Sequence, residues 1–115
     1  MGVKGVSVSG WNTEALDTAA TKTILSIGSN QAFKVTEIII TNSDTANPAV
    51  VEFFDEAASS SPTTTKRKIP AIRVDAGKTV RIPFDDGPVF TTAVSARATS
   101  GSVEAYNCMV NGKMF

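Results

Sequence analysis

Two groups of neighbouring carboxylates are the residues of this sequence with the most obvious capacity for chemistry. Asp85 and Asp86 precede Gly87, and oxygen ligands of this kind suit a hard cation such as Ca²⁺. The segment lacks the twelve-residue ligand spacing of a calcium-binding loop, and a plain turn explains all three residues. We therefore predict no metal site here.

Glu52, Asp55 and Glu56 form the second group, and a pair of carboxylates is what glycoside hydrolysis requires. Glu52 alternates with Val51 and Phe53 in an apolar, strand-like pattern, so its side chain is predicted to point outward. A charge in that position usually keeps an exposed strand face soluble. The pattern therefore favours a solubilising carboxylate over a catalytic one.

The residue types that most enzymes use are missing. The 115 residues include no histidine and one cysteine, Cys108. This excludes Ser-His-Asp and Cys-His catalysis and leaves too few ligands for a zinc site. No glycine-rich phosphate-binding loop is present. We predict a protein that is not an enzyme and needs no cofactor, with Cys108 buried as a small hydrophobe in an apolar strand.

Composition also narrows the classes of partner. Eleven basic and eleven acidic residues give a formal net charge of zero, whereas nucleic-acid binders usually carry a basic excess. No window approaches the roughly 18 apolar residues of a membrane-spanning helix, and no early apolar stretch predicts a secretory signal. A single cysteine suits synthesis in a reducing cytoplasm. We therefore expect protein partners, without nucleic acid or a membrane.

Six residues are candidates for contact with a partner protein. Trp11 is the only tryptophan, and tryptophan is enriched at interaction hot spots. Two valines alternate with small polar residues just before it. The only dense basic run lies in the polar, low-complexity stretch 57–68, which predicts a long, mobile surface loop. The candidates are Val6, Val8, Trp11, Lys66, Arg67 and Lys68.

The clearest secondary-structure signal is a two-residue period bounded by turn sequences. Val80, Ile82 and Phe84 alternate with Thr, Arg and Pro, which gives the segment one apolar and one polar face. The sequence Asp-Ala-Gly-Lys at 75–78 is a turn signal that separates this strand from another alternating segment. We therefore predict a β-hairpin over residues 69–84.

A second strong strand, residues 33–41, contains a change of phase. Phe33 and Val35 share one face, whereas Ile38 and Ile40 fall on the other. A β-bulge between these pairs would explain the change, and burial of both faces would explain the isoleucine run equally well.

Further alternating segments bring the prediction to about eight strands with frequent turn signals, which is typical of a β-sandwich or barrel. No convincing helix is found. A turn-rich hairpin loop, 42–48, is predicted to join the second strong strand to the strand 50–54. Residues 1–20 are rich in Gly, Ser, Thr and Ala, so we predict an N-terminal arm over 1–20 and a β-sandwich domain over 21–115. The arm would pair with its own sheet or lie across a neighbouring subunit.

Several segments together resemble small structural proteins of tailed bacteriophages. The resemblance covers roughly residues 33–112. It rests on IIITNS at 38–43, VVEFFD at 50–55, IPAIRV at 69–74, AGKTVRIPF at 76–84, GPVFTT at 87–92 and VNG at 110–112. Proteins of this kind are β-sandwiches or jelly rolls that decorate capsids or belong to tails and fibres. The alternating pattern itself does not distinguish a jelly roll from an immunoglobulin-like sandwich.

The resemblance implies an all-β, jelly-roll-like antiparallel sandwich that acts as a capsid decoration, or cement, protein. Its partners would be the major capsid protein or other virion proteins, and it would stabilise the head shell. It would be made in the host cytoplasm and located on the capsid surface as a symmetric homo-oligomer, with a trimer favoured. The alternative is a carbohydrate- or receptor-binding module of a tail fibre, which needs exposed aromatic side chains. Trp11 and Tyr106 are the aromatic candidates with a polar group.

Overall fold

Two antiparallel sheets form the protein in a computed structural model that describes residues 5–12, 15–16, 20–98 and 106–115. The described part contains one 3-10 turn, Thr64–Lys66, and no α-helix. No helix there is long and apolar enough to cross a membrane. The strands described are β1 Val6–Trp11, β2 Lys22–Ser26, β3 Phe33–Asn42, β4 Ala49–Asp55, β5 Arg67–Val74, β6 Thr79–Pro83, β7 Val89–Phe90, β8 Ala93–Ala98 and β9 Tyr106–Met114.

The order of the strands is that of a jelly roll. Sheet A has the order β1-β9-β3-β6, with the short strand β7 also paired to β3, and sheet B has the order β2-β8-β4-β5. The chain crosses between the sheets at every connection except β4 to β5 and β6 to β7. This confirms the predicted jelly-roll-like sandwich and decides between the two topologies that the sequence left open.

Two predicted hairpins are wrong. Within residues 69–84, β5 pairs with β4 in sheet B, whereas β6 pairs with β3 in sheet A. The segment 42–48 likewise carries the chain from sheet A to sheet B. Residues 75–78 and 42–48 do turn the chain, as their residue types indicated, but each turn is a corner between the two sheets. Alternation shows which face of a strand is apolar and does not show which sheet the strand joins.

Gly77 lies in the corner at 75–78 and forms a backbone hydrogen bond with the corner at 42–48. Its φ is +69°, and its N–H donates to the carbonyl oxygen of Asp44 at 2.8 Å. The backbone of L-residues is strained in this left-handed region, and the cost is about 1–2 kcal/mol. No atom lies within 4 Å of the place that a Cβ would occupy, so the strain would be conformational alone.

We therefore expect Gly77→Ala to lower the free energy of unfolding by about 1 kcal/mol in urea denaturation. Asparagine adopts the left-handed region more readily than alanine does. Gly77→Asn should accordingly lose less stability than Gly77→Ala. Equal losses in the two variants would contradict a conformational cause.

Strand β3 contains a bulge, one of the two explanations that the sequence left open for its change of phase. Its register against β9 shifts between Val35 and Glu37. The shift brings Phe33, Ile38 and Ile40 to the same side as Val35, and all four apolar side chains are completely buried. The residues between them remain partly or fully exposed. The bulge therefore explains the change of phase, and β3 is not buried on both faces.

The core between the sheets is built from aliphatic and aromatic side chains. Its largest fully buried members are Tyr106, Phe33, Phe53, Phe90 and Leu16. Cys108 is buried as predicted, and burial raises the pKa of its thiol far above the ordinary value. The burial of Tyr106 corrects its candidacy as an exposed sugar-stacking residue. Alternation carried this signal, because Tyr106 lies two residues before Cys108 and therefore on the same, buried face of β9.

The stretch 57–68 is less of a free loop than predicted. Its last two residues already belong to β5, and Thr64–Lys66 form the 3-10 turn. Ser59 donates its N–H to the hydroxyl of Thr21 at 2.8 Å, and Thr21 donates its N–H to the carbonyl oxygen of Ser59 at 2.9 Å. These hydrogen bonds to a distant segment attach the stretch to the sandwich, and composition does not reveal them.

Candidate binding surface

Asp55 anchors a loop. Its carboxylate accepts the N–H groups of Thr92 at 2.8 Å, Thr91 at 3.1 Å and Ala93 at 3.3 Å, and also the Thr91 hydroxyl. Burial opposes the charged form, but these hydrogen bonds together outweigh burial and lower the pKa of Asp55. The carboxylate holds the start of β8 in place.

Glu52 is not the solvated charge that alternation predicted. It is only 7% exposed, and its carboxylate pairs with Arg67 of β5 and Arg97 of β8. The Arg97 guanidinium lies over the ring of Phe54, with its carbon 5.6 Å from the ring centre. One carboxylate and two guanidinium groups therefore form an ion cluster that spans three strands of sheet B. The periodicity of one strand cannot show partners that two other strands supply.

The acidic turn at 85–87 is also accounted for by local contacts. Asp86 pairs with Lys34, and the hydrogen bond and charge of Lys34 lower the pKa of Asp86. A Cβ at Gly87 would lie 1.9 Å from the carbonyl oxygen of Val35, so glycine allows this turn to pack closely on β3. Among the residues that the structure describes, no three acidic, cysteine or histidine side chains are grouped as a metal site.

A partly exposed apolar row crosses the outer face of sheet A. Trp11 is 57% exposed at the end of β1, opposite Met109 of β9, which lies opposite Ile39 of β3. We call these three residues the Trp11 row. A shallow groove of about 330 Å³ follows the row and is bordered by Thr41 and Asn107. The row combines an exposed aromatic side chain with a polar margin.

A second groove lies on the other side of Trp11, between the edges of β1 and β2, and measures about 320 Å³. The two edges approach closely at Gly10. A Cβ there would lie 2.5 Å from the carbonyl oxygen of Ile24 and 2.7 Å from the Cβ of Leu25. Glycine is needed at this position because a side chain would push the sheets apart. Trp11 therefore lines both grooves.

The six candidate contact residues fall into two separated groups. Val6, Val8 and Trp11 lie on β1, where Val6 is 69% exposed and Val8 packs partly against the core. The other group lies where the 3-10 turn ends and β5 begins, with Lys66 in the turn and Arg67 and Lys68 in the strand. The strand of sheet B that packs against β1 is β2, and β5 is at the opposite edge of that sheet. The structure does not bring the two groups together.

Sequence reasoning missed two members of the Trp11 row. Met109 and Ile39 each lie on the outward face of an alternating strand, and that signal was present in the sequence. Their proximity to Trp11 was not evident from the sequence, because β1 pairs with a strand that follows about a hundred residues later in the chain.

No protein-family model matches the chain, and no curated protein sequence matches it. Among solved structures it is similar to the Tobacco streak virus coat protein, with a TM-score of 0.53 and 10% identity over 98% of this chain and 88% of that chain. It is also similar to PirA, with a TM-score of 0.50 and 8% identity over 91% of this chain and 92% of that chain. At such identities the likeness shows the fold alone. The fold is a jelly-roll-like sandwich of the kind found in a viral coat protein.

Proposed function

We propose that this chain is a non-enzymatic structural protein of a virus particle, and that it decorates and stabilises a bacteriophage head shell. The observation that carries the proposal is the likeness of its fold, over almost its whole length, to a viral coat protein. The resemblance of residues 33–112 to small phage proteins supports the finer assignment to the capsid surface.

The Trp11 row is the surface that we propose to contact the shell. Interface centres are rich in Trp and Met and are surrounded by polar residues. Here Thr41 and Thr79 share a hydrogen bond of 3.0 Å beside the row. At the far end of the row, Arg81 pairs with Glu37 at 3.2 Å. Both pairs hold the polar margin in place around an apolar centre.

The remaining parts of the proposal concern attachment and assembly. We propose that Lys66, Arg67 and Lys68 form a second, basic contact and that the chain reaches the capsid surface after synthesis in the host cytoplasm. The arm over 1–20 and the boundary at residue 20 stay predictions, as does the homotrimer. Deleting the arm would remove β1 from sheet A and the buried Leu16 from the core, so single substitutions test attachment better.

The test is co-sedimentation of purified chain with shells of the phage's own major capsid protein. We expect Trp11→Ala to weaken retention at least about tenfold, because a tryptophan anchor at an interface centre commonly contributes about 2 kcal/mol or more. Stability should change little because Trp11 is exposed. Val89→Ala, which truncates another exposed apolar residue of sheet A, is the matched control. Unchanged retention of Trp11→Ala would overturn the assignment of this surface.

A carbohydrate- or receptor-binding module of a tail fibre is the second candidate. The observation that favours it is the exposed indole of Trp11 beside a groove that Asn107 and Thr41 border, because sugars combine ring stacking with hydrogen bonds to amides and hydroxyls. A glycan array separates the two candidates. Glycan binding that Trp11→Ala abolishes would favour the module, and shell retention without glycan binding would favour decoration.

A further inference from the structure

Strand β1 lies at an edge of sheet A and, within the described residues, pairs with β9 alone. The hydrogen bonds between β9 and β3 show which residues of β9 bond to β3 and which bond to β1. Phe115 and Ala32 exchange two backbone hydrogen bonds, of 2.9 and 3.3 Å, so the odd-numbered residues of β9 bond to β3. Its even-numbered residues therefore bond to the even-numbered residues of β1. The N–H and C=O groups of Ser7, Ser9 and Trp11 point away from the sheet.

The other edge strands carry residues that oppose pairing with a foreign strand. Strand β2 begins with Lys22, β5 contains Arg67 and Pro70, and β6 contains Arg81 and Pro83. Strand β7 has only two residues. Charges, prolines and short length are the usual protection of a sheet edge. Strand β1, with the sequence Val-Ser-Val-Ser-Gly-Trp, has neither a charge nor a proline.

We propose that β1 pairs antiparallel with β1 of a second copy of this chain, about a two-fold axis through Ser9, so that sheet A continues across two subunits. An extended strand is the partner that the outward N–H and C=O groups require. The charges and prolines of the other edge strands disfavour pairing there. About a two-fold axis, the outward backbone groups of β1 can form hydrogen bonds with the same groups of a second copy. In this register Ser9 faces Ser9 of the partner subunit, and Ser7 faces Trp11 of the partner subunit.

The register also provides a favourable side-chain contact. The ammonium of Lys113 donates to the hydroxyl of Ser7 at 2.7 Å, so it lies on the outer face beside β1. The partner's Trp11 would arrive on that same face, next to this ammonium, which suits a cation–π contact. The symmetry makes the contact twice, and the zero net charge of the chain gives little repulsion between copies.

This pairing goes beyond the proposed function and depends chiefly on backbone groups of β1, although the side chain of Trp11 takes part in both contacts. It engages the edge of the strand, whereas shell binding uses the outer face of the sheet. Opposed residues share a face, so the two-fold axis would set both Trp11 rows on the same side of the extended sheet. Two copies are a different assembly from the homotrimer that the resemblance favours, and the mass in solution distinguishes them.

Light scattering coupled to size exclusion should give about twice the chain mass of 12.0 kDa for the full-length chain. A chain that stays monomeric up to millimolar concentration, or one that forms a stable trimer, would overturn the two-fold pairing. The result does not depend on shell binding, so the two proposals can fail separately.

Cysteine cross-linking tests the register. Residues opposed in a hydrogen-bonded antiparallel pair have Cα atoms about 5.5 Å apart, which a disulfide spans. Mild oxidation of Ser9→Cys should therefore give a covalent dimer. Ser7→Cys is the matched control and should not, because Ser7 faces Trp11 of the partner subunit. The buried Cys108 does not interfere. Equal cross-linking of the two variants would overturn the register.

A proline at position 9 tests the backbone contact. The Ser9 N–H lies outside the β1–β9 ladder, and proline is accepted on an edge strand when its missing N–H faces outward. We expect Ser9→Pro to keep the monomer fold by circular dichroism and to raise the dimer dissociation constant at least about tenfold. Ser9→Ala loses the same hydroxyl contact to Asn111 but keeps the N–H, and should dimerise normally. Equal dimerisation of both variants would exclude this edge as the contact.

Discussion

Asp55→Asn is expected to lower the free energy of unfolding by about 3 kcal/mol at pH 7. The carboxylate is buried at the end of β4 and accepts the backbone N–H groups of Thr91, Thr92 and Ala93. Hydrogen bonds to a charged acceptor contribute about 1.5–3 kcal/mol each. An amide of the same shape keeps one acceptor oxygen and turns an NH₂ group toward the remaining donors. Urea denaturation of the two proteins measures the difference.

The same substitution should change how stability depends on pH. The pKa of Asp55 in the folded protein lies below its usual value, so the unfolded chain binds the proton more readily. The carboxylate therefore contributes fully above the unfolded pKa of about 3.9, and its contribution disappears as the pH falls through the lower, folded pKa. The stability gap between the wild type and Asp55→Asn should be constant from pH 7 to about pH 5 and close below about pH 4.

Asp86→Asn is the matched control for this prediction. The pKa of Asp86 is also lowered, by Lys34, but its side chain is fully solvated. Solvent screens an exposed ion pair, so this substitution should leave the unfolding curve nearly unchanged at every pH. A gap for Asp55→Asn that persists at low pH would show that the loss comes from altered packing and not from the carboxylate charge.

Glu52→Ala is the second substitution with a large expected effect, a loss of about 3 kcal/mol in the free energy of unfolding. Removing one member of a buried ion cluster leaves the partner charges uncompensated, which costs about 3–5 kcal/mol when burial is complete. Arg97 and Arg67 are 24% and 44% exposed in their side chains, which places the loss at the lower end. Chemical denaturation at neutral pH measures it.

A double-mutant cycle identifies the cause of this loss. Residues of one ion network show coupling of about 0.5–3 kcal/mol, so Arg97→Ala combined with Glu52→Ala should lose less than the sum of the single variants. The effect should also survive high salt, because buried pairs are screened less than exposed ones. Arg73 of β5 and Asp75, just beyond the end of that strand, form an exposed pair that should show neither property. Strict additivity for Glu52 and Arg97 would contradict the cluster.

The two carboxylates bear directly on function. Glu52 and Asp55 belong to the acidic group that was weighed for glycoside hydrolysis in the sequence, and in the structure each of them makes a stabilising contact. Among the residues that the structure describes, a partly exposed apolar row with a polar margin and an open strand edge remain accessible. Both are features of protein interfaces. The Ser9 variants test the strand edge and leave the Trp11 row intact, whereas Trp11→Ala also removes the proposed contact with Lys113 of the partner subunit.

Local features of the fold were predictable from the chain alone. Alternation located β3 and β6 closely, and the register shift shows that the change of phase between Val35 and Ile38 comes from a bulge, one of the two explanations that the sequence left open. The prediction failed where it had to state which strands pair with each other. Gly77 was identified as a turn residue, but a turn within one sheet and a corner between two sheets use similar residues.

The candidate site also contains both features that the sequence predicted and features that it did not. An exposed Trp11 was predicted, and it is exposed, whereas the burial of Glu52 and Tyr106 was not foreseen. Exposure of Trp11 follows from an edge position with few neighbours. Burial of Glu52 follows from two arginines that belong to strands 15 and 45 residues away in the chain.

The sequence by itself determined the fold class, the approximate strands and turns, and the buried nature of Cys108, because these depend on residue type and on the two-residue period of a single strand. Only the tertiary structure decided which sheet each strand joins, which charges meet, and that Trp11 lies beside Met109 and Ile39. The physical reason is that strand pairing in a jelly roll is nonlocal. The hydrogen bonds between strands join backbone groups, which are nearly the same for every residue type. The sequence therefore does not specify that β1 pairs with β9, and only the folded chain shows it.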